Sequence, residues 1–375
     1  MRNAQHWLSY VVLKTRLYLT LFLLINFSAF GQGQYIYKEP PQLNDGWNTN
    51  DLRLSISDSS RLYAFFNQIN TEEHKLHSFL LVKNNELVLE EYFNGYNAAK
   101  IQDIRSVNKS IKSILLGIAL DKGFINDIND PISKYLTNYQ PKKKLDPRKD
   151  EITIKHLITM SAGWDCNDWD KRSKGQEDRV YKKDNWIQYT LDLPMINNPG
   201  EVSNYCSMGV LIMAEIISQS SGMSIQDFAE KYLFKPLSIE NKEWGHTSER
   251  ALTSSSKRLY LTPRELAKIG QLVMNKGKWG NTQVVSKEWI EQATTSYTQI
   301  TGMDYGYLWW NIPFPSAKGP LIAKTATGNG GQYIMIFEEL DMVAIFTGGA
   351  YNSEADKLPF AITNNILLPS FDENP

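Results

Sequence analysis

The stretch Arg105-Ser106-Val107-Asn108-Lys109-Ser110-Ile111-Lys112-Ser113-Ile114-Leu115-Leu116-Gly117-Ile118 decides the reading of this chain. Val107, Ile111, Ile114, Leu115 and Ile118 recur at three- and four-residue steps. That spacing predicts an amphipathic helix from Ser106 to Lys122, closed by Gly123. Positions i and i+3 share a helix face, so the Ser106 hydroxyl and the Lys109 amine can meet. A serine hydroxyl is a weak nucleophile until a base takes its proton. A lysine can be that base where burial disfavours its ammonium. A serine at a helix start also sits where free N–H groups and the helix dipole favour developing negative charge. The alternative is a helix cap beside a solvated lysine. A second Ser-x-x-Lys, Ser254 to Lys257, lies in a serine run with no apolar helix directly after it.

Working outward, Phe79 to Val82 and Leu87 to Phe93 are apolar and aromatic runs around Lys83-Asn84-Asn85-Glu86, which predicts a hairpin. Leu62, Phe65, Phe66 and Ile69 have helical spacing within residues 56–69. Downstream, from about 124 to 250, helical signals continue, with Ile154 to Met160 and Met208 to Ser218 the apolar pieces. Thr262-Pro263 opens another helix running to 275, a cap followed by Pro at the first position. Tyr305 to Trp310, Tyr333 to Glu338 and Met342 to Thr347 are aromatic and β-branched, as strands tend to be. The order is strands, a helical middle, then strands. Strands from the two ends are expected to pair in one antiparallel sheet, with the helical middle as a separate lobe. There is no internal repeat and no low-complexity tract.

The N-terminus is ordered as a secretory signal peptide over residues 1–31: Arg2, Lys14 and Arg16, then apolar Leu17 to Phe27, then small Ala29 and Gly31. An uncleaved anchor is the alternative. The protein is therefore expected to be exported, periplasmic or secreted, with no membrane span in the mature chain. Residues 32–55 are rich in Pro, Asn and Asp and read as a loose extension. A net charge of −1 gives no sign of a nucleic-acid partner. The two cysteines, Cys166 and Cys206, allow one intramolecular bridge; two separate buried thiols are the alternative.

Two further constellations carry chemistry. Pro199-Gly200 is followed by Asn204-Tyr205-Cys206-Ser207 and an apolar helix. A tyrosine near cations can serve as general acid or base, although most tyrosines are packing residues with a wet hydroxyl. Gly328-Asn329-Gly330-Gly331-Gln332 precedes the strand at Tyr333. Glycines there let a substrate backbone approach, and a free N–H could complete an oxyanion hole; the alternative is an ordinary turn. None of the five histidines has metal-ligand spacing, so no metal and no cofactor are expected. There is no Gly-x-Ser-x-Gly elbow. Trp164, Trp169, Trp186, Trp309 and Trp310 are candidates for either pocket or core.

In combination these residues resemble the serine β-lactamase, DD-peptidase and esterase superfamily, with class C-like members and 6-aminohexanoate-dimer hydrolase-like enzymes as the nearest look. The resemblance runs from about Phe79 to Leu367. It is carried by Leu89 to Tyr96, Arg105 to Ser110, Leu157 to Gly163, Pro199-Gly200 with Tyr205-Cys206-Ser207, Leu261 to Arg264, and Gly328 to Gln332.

The resemblance implies an α/β (α+β) fold of β-lactamase/transpeptidase type: an antiparallel sheet flanked by helices, beside an all-helical lobe. On this chain that gives a domain over 56–370, with a sheet lobe at about 56–104 and 251–370 and a helical lobe at about 105–250. It implies Ser106 as the acylated nucleophile, Lys109 as its base and Tyr205 as the proton partner. The N–H groups of Ser106 and Gln332 would form the oxyanion hole, and Ser207, Asn329, Gly330 and Gly331 would contact substrate.

Two departures matter: Ser207 stands where the family often has Asn, and Asn329 where it often has Lys or His. The expected reaction is hydrolysis of an amide or ester in a small molecule or peptide. The rival reading is a non-catalytic or single-turnover protein that binds cell-wall peptides or β-lactams.

Overall fold

The computed structural model describes residues 34–245 and 258–371. The expected signal segment 1–31 and the second Ser-x-x-Lys at 254–257 lie outside the described residues. In chain order the strands are β1 (Leu76–Lys83), β2 (Glu86–Tyr92), β3 (Gln102–Asp103), β4 (Lys242–Gly245), β5 (Arg258–Leu261), β6 (Lys278–Trp279) and β7 (Thr282–Gln283). They continue as β8 (Thr298–Ile300), β9 (Met303–Tyr305), β10 (Trp310–Phe314), β11 (Leu321–Gly328), β12 (Gln332–Phe337) and β13 (Met342–Gly348).

The hairpin read from residues 79–93 is β1–β2, and its two turn residues, Asn84 and Asn85, both take positive φ. A two-residue hairpin needs that conformation, and asparagine tolerates it. The other edge of β1 pairs antiparallel with β13, so strands from opposite ends of the chain meet as expected. The eight-stranded sheet runs β2-β1-β13-β12-β11-β10-β9-β8, with every neighbouring pair antiparallel. Strands β12 and β13 are buried along their whole length. The helix Pro263–Met274 packs on β1, β12 and β13. A Cβ at its Gly270 would lie 2.6 Å from Val343, so only glycine permits this approach.

Between the two sheet segments lies the helical region. The helix Val107–Asp121 joins it to the sheet, touching β11 and β12 on one side and the helix Ser207–Ser221 on the other. Trp289 lies over Gly117 of that helix and donates its indole N–H to the Ser113 carbonyl (2.9 Å).

Two expectations are corrected. Tyr305 to Trp310 is not a strand: β9 ends at Tyr305, β10 begins at Trp310, and Leu308 between them has φ 66°. Tyr307, Leu308 and Trp309 are buried, and aromatic content reports burial as readily as extension. The N-terminal extension is not loose either. Trp47 is buried, its indole N–H donates to the Arg264 carbonyl (3.2 Å), and Thr49 bridges to Leu87. The buried Arg264 guanidinium pairs with Asp45 of the extension (2.7 Å) and Glu90 of β2 (2.8 Å), fastening both.

Candidate active site

The turn Asp103-Ile104-Arg105 feeds the helix that begins at Val107. Arg105 takes φ 51°, a left-handed conformation that costs a non-glycine residue roughly 1 kcal/mol or more. Ser106 follows as the N-cap, yet its hydroxyl makes no capping hydrogen bond. Instead the Lys109 amine donates to the Ser106 Oγ at 2.8 Å. The lysine is half-buried as a residue, with its amine enclosed. A helix cap beside a solvated lysine is therefore not what forms.

Tyr205 is the third member. Its ring lies 5.0 Å from the Lys109 amine, close enough for the tyrosine to favour the charged amine. The loop leading to Tyr205 is held by the Met160-to-Gly163 turn. Asn204 N–H donates to the Met160 carbonyl (2.9 Å), Gly200 N–H to Ser161 (2.8 Å) and Ile196 N–H to Gly163 (2.9 Å). Gly163 has φ 83°, and a Cβ there would come within 2.5 Å of the Asn197 carbonyl, which explains the glycine.

A second segment grips the tyrosine. Cys166 is joined to Cys206 by a disulfide. Asp168 N–H donates to the Tyr205 carbonyl (2.8 Å), and the Asp168 Oδ2 accepts from both the N–H (2.8 Å) and the hydroxyl (2.6 Å) of Ser207. Trp169 stacks on the Tyr205 ring with centroids 4.9 Å apart and planes 3° from parallel. On the same aromatic cluster, Trp310 lies 6.0 Å from Tyr205. Of the five tryptophans in question, Trp164, Trp186 and Trp309 are core, whereas Trp169 is 55% exposed at the site.

The electrostatics differ from the expectation of a lysine emptied by burial. Burial does push Lys109 down, but Tyr205, Glu177 and Asp168 outweigh it and leave Lys109 above the ordinary lysine value. Its ammonium is thus the favoured form in the unliganded site. Burial and the Glu177 carboxylate push Asp168 up to about 6, against Lys109 and the Ser207 hydrogen bonds, which pull it down. One turn along the helix, burial and then the Lys109 charge lower Lys112 to about 7.

The glycine-rich stretch is placed differently from its expected role. Gln332 is fully buried, sits opposite Gly328 across β11–β12, and bonds the Gly348 backbone through both side-chain atoms. Asn329 Nδ2 donates to Asn352 Oδ1 (2.7 Å), and Asn352 N–H donates back to Asn329 Oδ1 (2.8 Å). Gly330 lies under the Tyr351 ring, and Gly331 lies against Gly348. The residue nearest the Ser106 turn is Gly328, where a Cβ would fall 2.5 Å from the Ile104 carbonyl and 3.2 Å from Arg105 Cβ. The β10–β11 ladder stops at the Trp310–Thr325 pair, while β11–β12 pairing continues to Gly328. Ala326 to Gly328 is therefore unpaired with β10, an open edge beside Ser106.

The sequence reading therefore brought Ser106, Lys109 and Tyr205 to one place, and it missed Asp168, Glu177 and Lys112. One signal was there for Asp168: a bridge from Cys166 to Cys206 puts the residues after Cys166 beside Tyr205.

Comparison with known proteins bears on this geometry. A family model described as beta-lactamase matches residues 70–362, more than half of the chain. The 6-aminohexanoate-dimer hydrolase of Paenarthrobacter ureafaciens is 21% identical over 248 residues, covering 63% of this chain and 61% of that one. A class C beta-lactamase structure superposes with TM-score 0.63 at 14% identity, covering 84% of this chain and 96% of the other. The octameric penicillin-binding protein homologue from Pyrococcus abyssi gives TM-score 0.63 at 20% identity, covering 84% and 79%. At these identities the two structures establish the fold.

Proposed function

We propose, on the premise that the chain belongs to the beta-lactamase family, that it is a serine hydrolase cleaving amide or ester bonds through an acyl-enzyme on Ser106. The observation that carries this reading is the 2.8 Å contact between Lys109 Nζ and Ser106 Oγ, with Tyr205 against the same amine. A serine whose hydroxyl makes no capping bond but meets an enclosed lysine amine is arranged for proton removal.

In the first half-reaction Ser106 Oγ bonds to the substrate carbonyl carbon while its proton passes to the Lys109–Tyr205 pair. The accepting atom is the Lys109 Nζ in its neutral form, so the ammonium favoured in the unliganded site first gives its proton to solvent. The C–N or C–O bond then breaks and the pair returns the proton to the leaving group. A water repeats the sequence on the acyl-enzyme and frees Ser106.

The substrate carbonyl oxygen is assigned to the Ser106 N–H and to a backbone N–H on the open edge of β11 between Thr327 and Asn329, in place of the buried Gln332. Such preorganised donors are worth roughly 3–4 kcal/mol in acyl transfer. The charged, apolar, small order of the N-terminus supports export, and a disulfide beside the site suits an oxidising compartment.

The test is to incubate the mature protein with a fluorophosphonate, measure intact mass and map the adduct. A single adduct on Ser106, absent in Ser106→Ala, is expected. No adduct on folded protein would leave a binding protein as the better reading. Repeated turnover of any ester would eliminate that rival.

A further inference from the structure

Asp168 is an expensive residue to place where it is. Its carboxylate is enclosed, and Oδ1 has no hydrogen-bond partner among the described residues. Taking a carboxylate out of water costs several kcal/mol on the order-of-magnitude scale for buried ions. A packing role alone would not need an ionisable group there.

We propose that Asp168 is a positioning residue for the reaction: its backbone and carboxylate fix the Tyr205–Ser207 turn so that Tyr205 stays against the Lys109 amine. This rests on the serine-hydrolase reading above. The Asp168 N–H holds the Tyr205 carbonyl, and its Oδ2 holds the N–H and hydroxyl of Ser207, so the backbone that follows the tyrosine is pinned at two successive points. The neighbours of Asp168 add the Cys166–Cys206 bridge and the Trp169 stack to the same turn. Ser207 is thereby taken from the substrate. Its hydroxyl donates to Asp168 Oδ2.

The groups facing the Asp168 carboxylate are Lys109 on the nucleophile helix, Ser207 on the helix after Tyr205, and Glu177 and Tyr181 on the segment that follows. Glu177 accepts from the Tyr181 hydroxyl (3.0 Å), so its charge has a partner of its own. Asp168 is the member of this set whose ionisation acts on the turn directly. When it takes a proton, it holds Ser207 less well, and the turn that places Tyr205 loosens. The reactivity of Ser106 should then fall as pH drops through the Asp168 range, near 6.

The experiment measures the fluorophosphonate labelling of Ser106 against pH in the wild type, Asp168→Ala, Asp168→Asn and Ser207→Ala, separating the maximal inactivation rate from the half-saturating probe concentration. Circular dichroism and intact mass check the fold and the disulfide. Asp168→Ala should lose on the order of 10²-fold in maximal rate, a general acid–base-sized effect, with the half-saturating concentration nearly unchanged. Asp168→Asn mimics the protonated carboxyl, so it should label at every pH at about the low-pH rate of the wild type and lose the acid limb. Ser207→Ala removes a donor that stabilises the ionised carboxylate, so the limb should move to higher pH.

A folded Asp168→Ala that labels at the wild-type rate with the wild-type limb overturns the positioning role and leaves the hydrolase reading standing. If Asp168→Ala does not fold, an unchanged limb in both Asp168→Asn and Ser207→Ala overturns it equally. A folded wild type that never labels removes the hydrolase reading, and this proposal with it.

Discussion

Ser106 and Lys109 find each other within one turn of one helix, whereas Tyr205 reaches the same amine only because two segments distant in sequence are tied together. The first contact follows from helical geometry once the helix forms. The second needs a disulfide, an aspartate whose backbone and carboxylate hold the chain just after the tyrosine, and a ring stack. A local pair is set by secondary structure, so its chemistry is robust to change elsewhere. A pair assembled across the fold inherits the weakness of each tie. The two halves of the site should therefore respond to mutation in different ways.

The largest effects should come from the local half. Ser106→Ala should lower turnover of an ester substrate by on the order of 10⁴-fold or more with the fold intact, and Lys109→Ala should cost about as much, because residues acting as a unit fail together. Steady-state rates together with thermal melts check both. A Lys109→Ala enzyme within tenfold of wild type would mean that the helical pair is not the unit supposed here.

Tyr205→Phe should cost less, about 10²- to 10⁴-fold in kcat, the range for one general acid–base group. Breaking the bridge comes next. A double Cys166→Ser, Cys206→Ser variant should lose about 3–4 kcal/mol of stability by the loop-entropy estimate for a cross-link between residues 40 apart. It should also label Ser106 more slowly, since the turn then loses its one covalent tie and rests on Asp168, the Trp169 stack and the Asn204 bond. Urea unfolding gives the first quantity and fluorophosphonate kinetics the second. Equal labelling in bridged and unbridged protein would show that the ties are redundant for catalysis.

The same division explains what could be read from sequence. The Ser106 helix, the β1–β2 hairpin and the pairing of terminal strands were legible because each rests on a local period or a turn residue. The expected role of the Gln332 N–H rests on glycine-rich neighbours that signal a tight turn but do not say which N–H faces outward. That depends on where the β10–β11 ladder stops, at Trp310 and Thr325. The charge on Lys109 was misread for a similar reason. Burial was foreseeable, but the groups that outweigh it, Tyr205 first and then Glu177 and Asp168, come from segments whose position no spacing encodes. The extension looked loose because its composition is that of turns, while its anchor is one arginine, Arg264, far along the chain.

The smallest expected effect sharpens the comparison at the open edge of β11. Asn329 carries the residue type that departs from the family's cation, and a substrate-binding role for its side chain would make Asn329→Ala costly in KM. In the structure that side chain is spent on Asn352 at the surface, through two hydrogen bonds. Removing it takes away exposed bonds worth about 1 kcal/mol each at most and leaves the backbone N–H in place. Asn329→Ala should therefore stay within a few-fold of wild type in kcat/KM. By contrast, Gly328→Val should fail, because a side chain there would collide with the Ile104 carbonyl at the base of the Ser106 turn. If Asn329→Ala instead raised KM tenfold with kcat unchanged, the side chain would be a substrate contact, and binding on this side of the cleft would belong to Asn329 and not to the strand edge.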